Sequence, residues 1–468
     1  MIIEQIYTGC LAQGAYYIES NGEVAIIDPL REVQDYLDRA AKKNAKIKYI
    51  FETHFHADFV SGHVTLAEKT GGKIVFGPNA KTKFDSHIAK DGEVFKLGNI
   101  TITVLHTPGH TMESTTYLLK DENGKDHAIF TGDTLFLGDV GRPDLAQKSD
   151  VTQDDLAAIL FDSLRNKIMT LADDVVVYPA HGAGSACGKN LSKETIGTLG
   201  EQKATNYALR PDMTKEEFVK EVTDGLLPPP AYFPLNVMLN KEGYQSIDDV
   251  IETGTRALSV KDFELIANET DALILDVRHQ SKFIKGFIPQ SIFIGLGGTF
   301  APWVGALVKD IKQPILLVVP EGKAEETITR LSRVGFDNVL GYLEGGFDAW
   351  KASGKDIDTL TSVSADVLEQ KINEEALVFD VRKPGEYAAE HIENVSSTPL
   401  DFLNDHISEF PTNKDFYVHC AGGYRSVIAS SILKARGFNK VIDVAGGYAA
   451  IRETGIKRTD VVSCSSSK

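Results

Sequence analysis

Residues Thr53–His63 read "THFHADFVSGH", and the fold turns on how they are read. The run is a metal-binding pattern, His-x-His-x-Asp-His, with its last letter changed: Phe59 stands where a His would complete it. His54, His56 and Asp58 follow "IKYIFETH", a β-branched and aromatic run that reads as a buried strand ending at His54. Three later segments take the same form. "NITITVLHTPGH" delivers His110, "HAIFTGDTLF" carries Asp133, and "DVVVYPAH" ends at His181. A lone His is usually a hydrogen-bonded structural residue. Six candidate ligands in order at strand ends, two of them in Gly-bearing turns, point instead to a site held by a rigid sheet and open to solvent.

The chain around this run has 468 residues, enough for about three domains. Its 42% hydrophobic and 25% charged residues are those of an ordinary soluble protein. A net charge of −17 argues against a nucleic-acid partner, because phosphate contacts need clustered Lys and Arg. The four cysteines, Cys10, Cys187, Cys420 and Cys464, form no CxxC pair, which suits free thiols in a reducing compartment. Cys10 falls in the first strand region, where a core position is expected, and Cys464 in a Ser-rich end expected to be disordered. The N-terminal stretch reads as two strands around a turn at Asn21-Gly22, not as a signal peptide. No apolar run reaches the ~18 residues of a membrane span. A soluble, cytoplasmic protein without a membrane partner is expected.

Beyond residue 190 the pattern turns helical. "LPPPAYFPLNV" (Leu227–Val237) interrupts it with prolines that exclude helix and central strand, so an extended, packed connector is expected. The remainder contains an internal repeat. "ALILDVRHQSKFIKGFIPQS" and "GFDNVLGYLEGGFDAW" recur as "ALVFDVRKPGEYAAEHIENV" and "GFNKVIDVAGGYAAI", with Asp276 and Asp380 104 positions apart. Each copy alternates buried strands with helices, which implies a small α/β domain with a parallel sheet.

The second copy holds "YVHCAGGYRSVIASSILKARGF". Cys420 ends a buried strand, and the loop to Arg425 can turn backbone N–H groups of Gly422 and Gly423 inward at a helix start. With Arg425 this favours a thiolate and holds an anion beside it. The first copy has "PEGKAEETITRLS" at the matching place, without Cys, and is expected to be non-catalytic, a spacer or docking surface.

The series His54, His56, Asp58, His110, Asp133 and His181 resembles the metallo-β-lactamase superfamily. The Cys420 loop, with Asp380 and Arg382 in "FDVR" and with "GEYAAEHI", resembles the rhodanese sulfurtransferases. Over nearly its whole length the chain is similar to bacterial persulfide dioxygenase–rhodanese fusion proteins, including "GRPDL" and "YPAHGAGSACGKN". The resemblance implies an α/β multidomain protein: an αββα metallo-β-lactamase sandwich followed by two rhodanese-like α/β domains with parallel sheets. The expected divisions are a dioxygenase domain at 1–200, a helical extension and Pro-rich connector at 201–255, a degenerate rhodanese at 256–356, an active rhodanese at 357–458 and a disordered tail at 459–468.

In the dinuclear hydrolases of this superfamily, Asp58, His181 and the His lost at Phe59 would serve a second metal. What remains is His54, His110 and Asp133, the two-His-one-carboxylate set of non-haem Fe(II) oxygenases, which Zn²⁺ also accepts. One Fe(II) per chain is therefore expected, with Zn as the alternative. His56, Asp58 and His181 are then expected behind the ligands or at an alternative metal. The implied chemistry is oxidation of a low-molecular-weight persulfide, of glutathione or coenzyme A type, by O₂ to sulfite. Cys420 would carry sulfur to or from sulfite and thiosulfate. Arg142 and Cys187 are candidate substrate contacts, and a homo-oligomer is expected. The competing expectations are a Zn-dependent thioester hydrolase of glyoxalase II type with an attached sulfurtransferase, and a sulfane-sulfur carrier or sensor.

Overall fold

Asn21 and Gly22 both take positive φ, 50° and 76°. That geometry closes a two-residue hairpin, and strands Gln13–Ser20 and Glu23–Ile27 pair antiparallel across it. The computed structural model describes residues 1–146 and 151–460, so Cys464 and most of the 459–468 tail lie outside the described residues. A third strand, Ile2–Thr8, joins the expected two. The turn between it and Gln13–Ser20 has no Gly-Asn or Pro signature, and Cys10 sits in that turn half-buried, not in the core.

The described residues form two compact units, one of Met1–Ile247 with Ser332–Gly335 and one from Asp248 onward without them. In the first, a sheet runs Ile2–Thr8, Gln13–Ser20, Glu23–Ile27, Lys46–Glu52, Lys73–Phe76, His87–Ile88 in spatial order. A second sheet runs Gly197–Thr198, Val176–Pro179, Asp126–Gly132, Thr115–Lys120, Ile100–His106, Val94–Leu97. Both mix parallel and antiparallel pairs. Their inner faces share one core, in which Tyr16, Phe51 and Val75 of the first sheet meet Val104, Tyr117 and Phe130 of the second. Helices Gln34–Lys42 and His63–Thr70 cover the first sheet, and Gln153–Ser163 and Lys215–Thr223 the second. This is the αββα sandwich, with two buried faces per sheet explaining why its strands read as near-continuous apolar runs.

The strands Lys46–Glu52, Asp126–Gly132 and Val176–Pro179 stop just before His54, Asp133 and His181. His110 is four residues past Ile100–His106, in a loop. Gly132, at φ +52°, lets two of these strand ends approach: a Cβ there would lie 2.5 Å from Thr53 Oγ1.

The Pro-rich stretch is a correction. Helix Phe233–Glu242 begins inside Leu227–Val237. Pro234 falls in its first turn, where the missing N–H has no intrahelical partner to lose. The earlier helices Leu199–Thr205 and Lys215–Thr223 each start on a capping box, Thr198 with Glu201 and Thr214 with Glu217.

The second unit repeats one design twice. Strands Ala257–Leu258, Val339–Leu343, Ile315–Val318, Leu273–Asp276 and Ile292–Phe293 form a parallel sheet. Thr361–Val363, Val441–Val444, Phe416–His419, Leu377–Asp380 and Ser396–Ser397 form another in the same order. The buried strand-end carboxylates match as well. Asp276 is clasped by Arg278 and Asp380 by Arg382, each guanidinium also donating to a carbonyl eight residues on, Gly286 or Glu390. No helix among the described residues is long and apolar enough to cross a membrane.

Candidate functional site

His54, His110 and Asp133 are buried, with one donor atom of each within 4.8 Å of the others. Asp133 Oδ2 lies 3.5 Å from His110 Nε2 and 3.9 Å from His54 Nε2. Donors about 2.1 Å from a common ion stand about 3.0–3.5 Å apart at octahedral or tetrahedral angles, so small movements would close the set. The hydrogen bonds behind the rings choose which nitrogen faces the hollow. His110 Nδ1 donates to the Arg142 carbonyl at 2.8 Å, leaving Nε2 as an acceptor. Thr53 Oγ1 gives its proton to Asp28 Oδ2 at 2.8 Å, so toward His54 Nδ1, 3.0 Å away, it accepts. His54 Nε2 is thereby freed too.

Both Asp133 oxygens are buried without a hydrogen-bond partner among the described residues. An unpaired buried carboxylate is costly, and a cation beside it removes the cost. Burial, with His56, His110 and His181 nearby, holds His54 well below its ordinary value, in the neutral form a ligand needs. The residues fit a metal ion.

A second group adjoins this one. His181 Nε2 lies 3.5 Å from Asp133 Oδ1 and 3.4 Å from Asp58 Oδ2, and its Nδ1 faces the Ala12 carbonyl at 3.2 Å. Single donor atoms of His56, Asp58 and His181 also lie within 4.8 Å of one another. His56 is drawn elsewhere: its Nε2 is 3.0 Å from Asp28 Oδ1 and 3.5 Å from Glu52 Oε2. Burial opposes charge on His56, but those carboxylates outweigh it and raise the imidazole to about 9. Phe59 is fully buried, its ring 4.3 Å from that of His56. It adds no donor atom to the group. Burial, Asp58 and Asp133 push the Cys187 thiol well above its ordinary value, and its sulfur is within 4.8 Å of donors on Asp133 and His181.

Arg142 is nearly buried and its guanidinium is occupied. It holds Asp144 with two 2.7 Å bonds and donates to the Ala186 and Leu227 carbonyls. It fastens the loop carrying Cys187 and offers little to a substrate.

Sequence reading missed two residues from the helical extension. Asn240 Nδ2 donates to the carbonyls of His56 and Phe59, both at 2.8 Å, and its Oδ1 accepts from Ser61 N–H at 2.9 Å. Tyr232, at the start of the same helix, is buried, and burial, then Asp58 and Cys187, raise its hydroxyl well above the ordinary value. Tyr232 falls in Leu227–Val237, read as an extended packed connector, and Asn240 just beyond it, in the helical extension. The single available signal was the density of Tyr, Phe and Asn there.

In the second unit, Cys420 follows strand Phe416–His419 and is buried. Gly423, at φ +91°, turns its N–H onto Cys420 Sγ at 3.1 Å, as the Gly-rich loop implied. Ser426 Oγ is 3.5 Å from the sulfur. Arg425, at the head of helix Arg425–Ala435, pairs with Glu386 through bonds of 2.6 and 2.8 Å. Cys420, Gly422 and Arg425 line a cleft of about 370 Å³.

Comparison with known proteins agrees with this geometry. Residues 8–181 match the family described as Metallo-beta-lactamase superfamily, and 259–353 and 364–454 each match the Rhodanese-like domain. A probable hydroxyacylglutathione hydrolase of Schizosaccharomyces pombe is 31% identical over 188 residues, 39% of this chain and 69% of that protein. Human mitochondrial persulfide dioxygenase ETHE1 is 30% identical over 220 residues, 47% of this chain and 78% of that protein. A solved metallo-beta-lactamase structure from Staphylococcus aureus covers 73% of this chain and 99% of its own, at 30% identity and a TM-score of 0.66. Relatives with different activities are thus equally similar, and the choice between them falls to the site.

Proposed function

The chain belongs to the metallo-beta-lactamase superfamily and continues into two rhodanese-like domains; from that premise we propose that it is an iron-dependent persulfide dioxygenase coupled to a sulfurtransferase. The observation that carries the first half is the asymmetry of the metal pocket. His54, His110 and Asp133 offer three bare donors, whereas the adjoining group has Phe59 at its missing ligand and His56 turned to Asp28 and Glu52. That supports a single ion, and a two-His-one-carboxylate set suits Fe(II). When bound, Fe(II) would supply the redox chemistry by which O₂, with water giving the third oxygen, oxidises the terminal sulfur of a small persulfide to sulfite, releasing the thiol and two protons.

The protein's own groups do the rest. The Arg142 carbonyl and Thr53 hold the two imidazoles by Nδ1, so each presents Nε2 to the pocket. His181 and Asp58, 3.4 Å apart beside Asp133, can pass a proton between imidazole and carboxylate at the pocket wall. Cys187 and Tyr232 are the remaining candidates for contact with substrate sulfur. At Cys420 a sulfane sulfur bound to Sγ would meet the Gly423 N–H, and sulfite attacking it would leave as thiosulfate, returning the thiolate.

The proximity of His181 and Asp58 to Asp133 favours a second reading, a two-zinc thioester hydrolase. Metal content and oxygen uptake of anaerobically purified protein separate the two. One iron per chain with oxygen consumed on addition of glutathione persulfide is expected. Two zincs with hydrolysis of a glutathione thioester would overturn the dioxygenase. Cys420→Ser is expected to abolish thiosulfate formation while oxygen uptake continues. A cytoplasmic setting and homo-oligomeric assembly belong to the same proposal.

A further inference from the structure

Four residues from within the first repeat belong to the metal-binding unit. They are Ser332–Gly335, whose neighbours Leu331 and Phe336 belong to the second unit. They form the turn that ends helix Ala324–Ser332. Gly335, at φ +84°, closes it by donating its N–H to the Ser332 carbonyl at 3.0 Å. A Cβ on Gly335 would stand 2.9 Å from Leu239 Cδ1 and 3.0 Å from Asn236 Oδ1, on the helix that carries Asn240. Only a glycine allows both the backbone conformation and the close approach.

This turn touches three supports of the metal pocket. The first is the loop bearing Asp58. The buried Val60 N–H donates to the Arg333 carbonyl at 2.7 Å. Asn240 already serves the His56 and Phe59 carbonyls and the Ser61 N–H, so Arg333 supplies the one partner that Asn240 does not. The second support is the loop at 28–33, where Asp28 accepts from Thr53 beside His54. There the wholly buried Arg31 donates to the Ser332 carbonyl at 2.9 Å, and Glu32 accepts from Arg333 Nε at 2.8 Å and from its Nη2. The third is the turn at 9–12. Arg333 Nη1 donates to Cys10 Sγ at 3.3 Å, and the Ala12 carbonyl of that turn faces His181 Nδ1 at 3.2 Å.

We infer that Ser332–Gly335 is a clasp that completes the metal unit, with Arg333 and Gly335 as positioning residues for the reaction at the metal. This rests on the oxidation proposed for that pocket. Neither residue lies among the candidate ligands. They act through Val60, Glu32 and Cys10 on the loops that place Asp58 and His181, the pair at the pocket wall. One guanidinium can reach Glu32 and Cys10 together because its donors form a planar fork. A lysine there keeps the pairing with Glu32 alone. The repeat that lost its cysteine thus retains a task at the metal.

The test uses the full chain, with Arg333→Gln, Arg333→Lys and Gly335→Ala beside wild type. Hydrogen exchange resolved by peptide mass reads residues 59–61 directly. Arg333→Gln and Gly335→Ala are expected to speed exchange there by about tenfold, and Arg333→Lys by about twofold. Unchanged exchange in the repeat's strand Ile315–Val318 shows that the repeat stays folded. Release of the bound metal to a chelator should quicken about tenfold in the first two variants. Their oxygen uptake with glutathione persulfide should lose about tenfold in kcat at an unchanged KM, and Arg333→Lys should restore most of it. Unchanged exchange at 59–61 in both Arg333→Gln and Gly335→Ala overturns the clasp. Faster exchange with metal release and kcat unaltered overturns the positioning role. Failure of wild type to consume oxygen overturns the dioxygenase reading instead, and exchange and metal release then still decide the clasp.

Discussion

Ser426 Oγ stands 2.6 Å from Asp443 Oδ1 and gives that carboxylate its only proton, so it faces Cys420 Sγ, 3.5 Å away, with lone pairs alone. Ser362 donates to the other Asp443 oxygen at 2.8 Å. Burial raises this carboxyl above its ordinary value, while the two serines work against the rise.

Asp443→Asn reverses the relay without changing its shape. The amide oxygen accepts from Ser362, its NH₂ donates to Ser426, and the Ser426 hydroxyl turns its proton to the sulfur. A hydrogen bond to a charged group is worth about 1.5–3 kcal/mol, so the alkylation-rate profile of Cys420 should move to lower pH by about one to two units. Iodoacetamide rates resolved by peptide mass give the profile. A profile that stays in place, or moves upward, rules the relay out.

Phe59→His restores the ligand missing from "THFHADFVSGH" beside Asp58 and His181, which already stand 3.4 Å apart. The new imidazole would replace a ring packed 4.3 Å from His56. Zinc content, measured after loading and desalting, should rise from one ion per chain toward two. A content that stays at one would mean that the position of Asp58 and His181, not Phe59, limits the site.

Much of this was legible because strands ending in ligands announce themselves. His54, Asp133 and His181 each follow a β-branched or aromatic run that stops, and the repeat marked by Asp276 and Asp380 gave two sheets of identical order. What escaped reading acts across long separations. Asn240 is 184 residues from the His56 carbonyl it binds, and Trp303, which lines the Cys420 cleft, is more than a hundred from that cysteine. Local pattern carries no trace of such pairs. The helix that delivers Asn240 was also hidden by Pro234, whose presence reads as a breaker unless it falls in a first turn. The hold on Arg142 was legible in part: Asp144 is two residues away in "GRPDL", whereas the Ala186 and Leu227 carbonyls are 44 and 85 residues off.

Asn240→Ala removes three hydrogen bonds at once from the loop bearing His54, His56 and Asp58. It leaves the Ser61 N–H and the carbonyls of His56 and Phe59 without that partner inside the protein. Stability should fall by about 3 kcal/mol. Loosened support of a metal loop typically costs about 10–100-fold in metal affinity, and chelator competition measures it directly. A variant that unfolds earlier yet holds iron as tightly as wild type would show that Asn240 serves the fold alone.

Glu386→Gln frees the Arg425 guanidinium from its ion pair while still able to accept the Lys383 N–H, which Glu386 Oε2 binds at 3.0 Å. A positive group released at the Cys420 cleft should tighten an inorganic anion, lowering the KM for thiosulfate about threefold. The stability cost follows from the carboxyl's titration. Burial alone would raise it, but Arg425 and the Lys383 N–H more than reverse this, so it lies below the ordinary 4.5. A lowered carboxyl contributes stability that is fully present above 4.5 and is lost as pH falls through the folded value. Wild type should therefore melt above the variant at neutral pH, by a small margin because the pair is partly exposed. The two melting curves should converge as the pH drops below 4.5. A gap that persists into acid would assign the difference to helix capping at Lys383 instead of the ion pair.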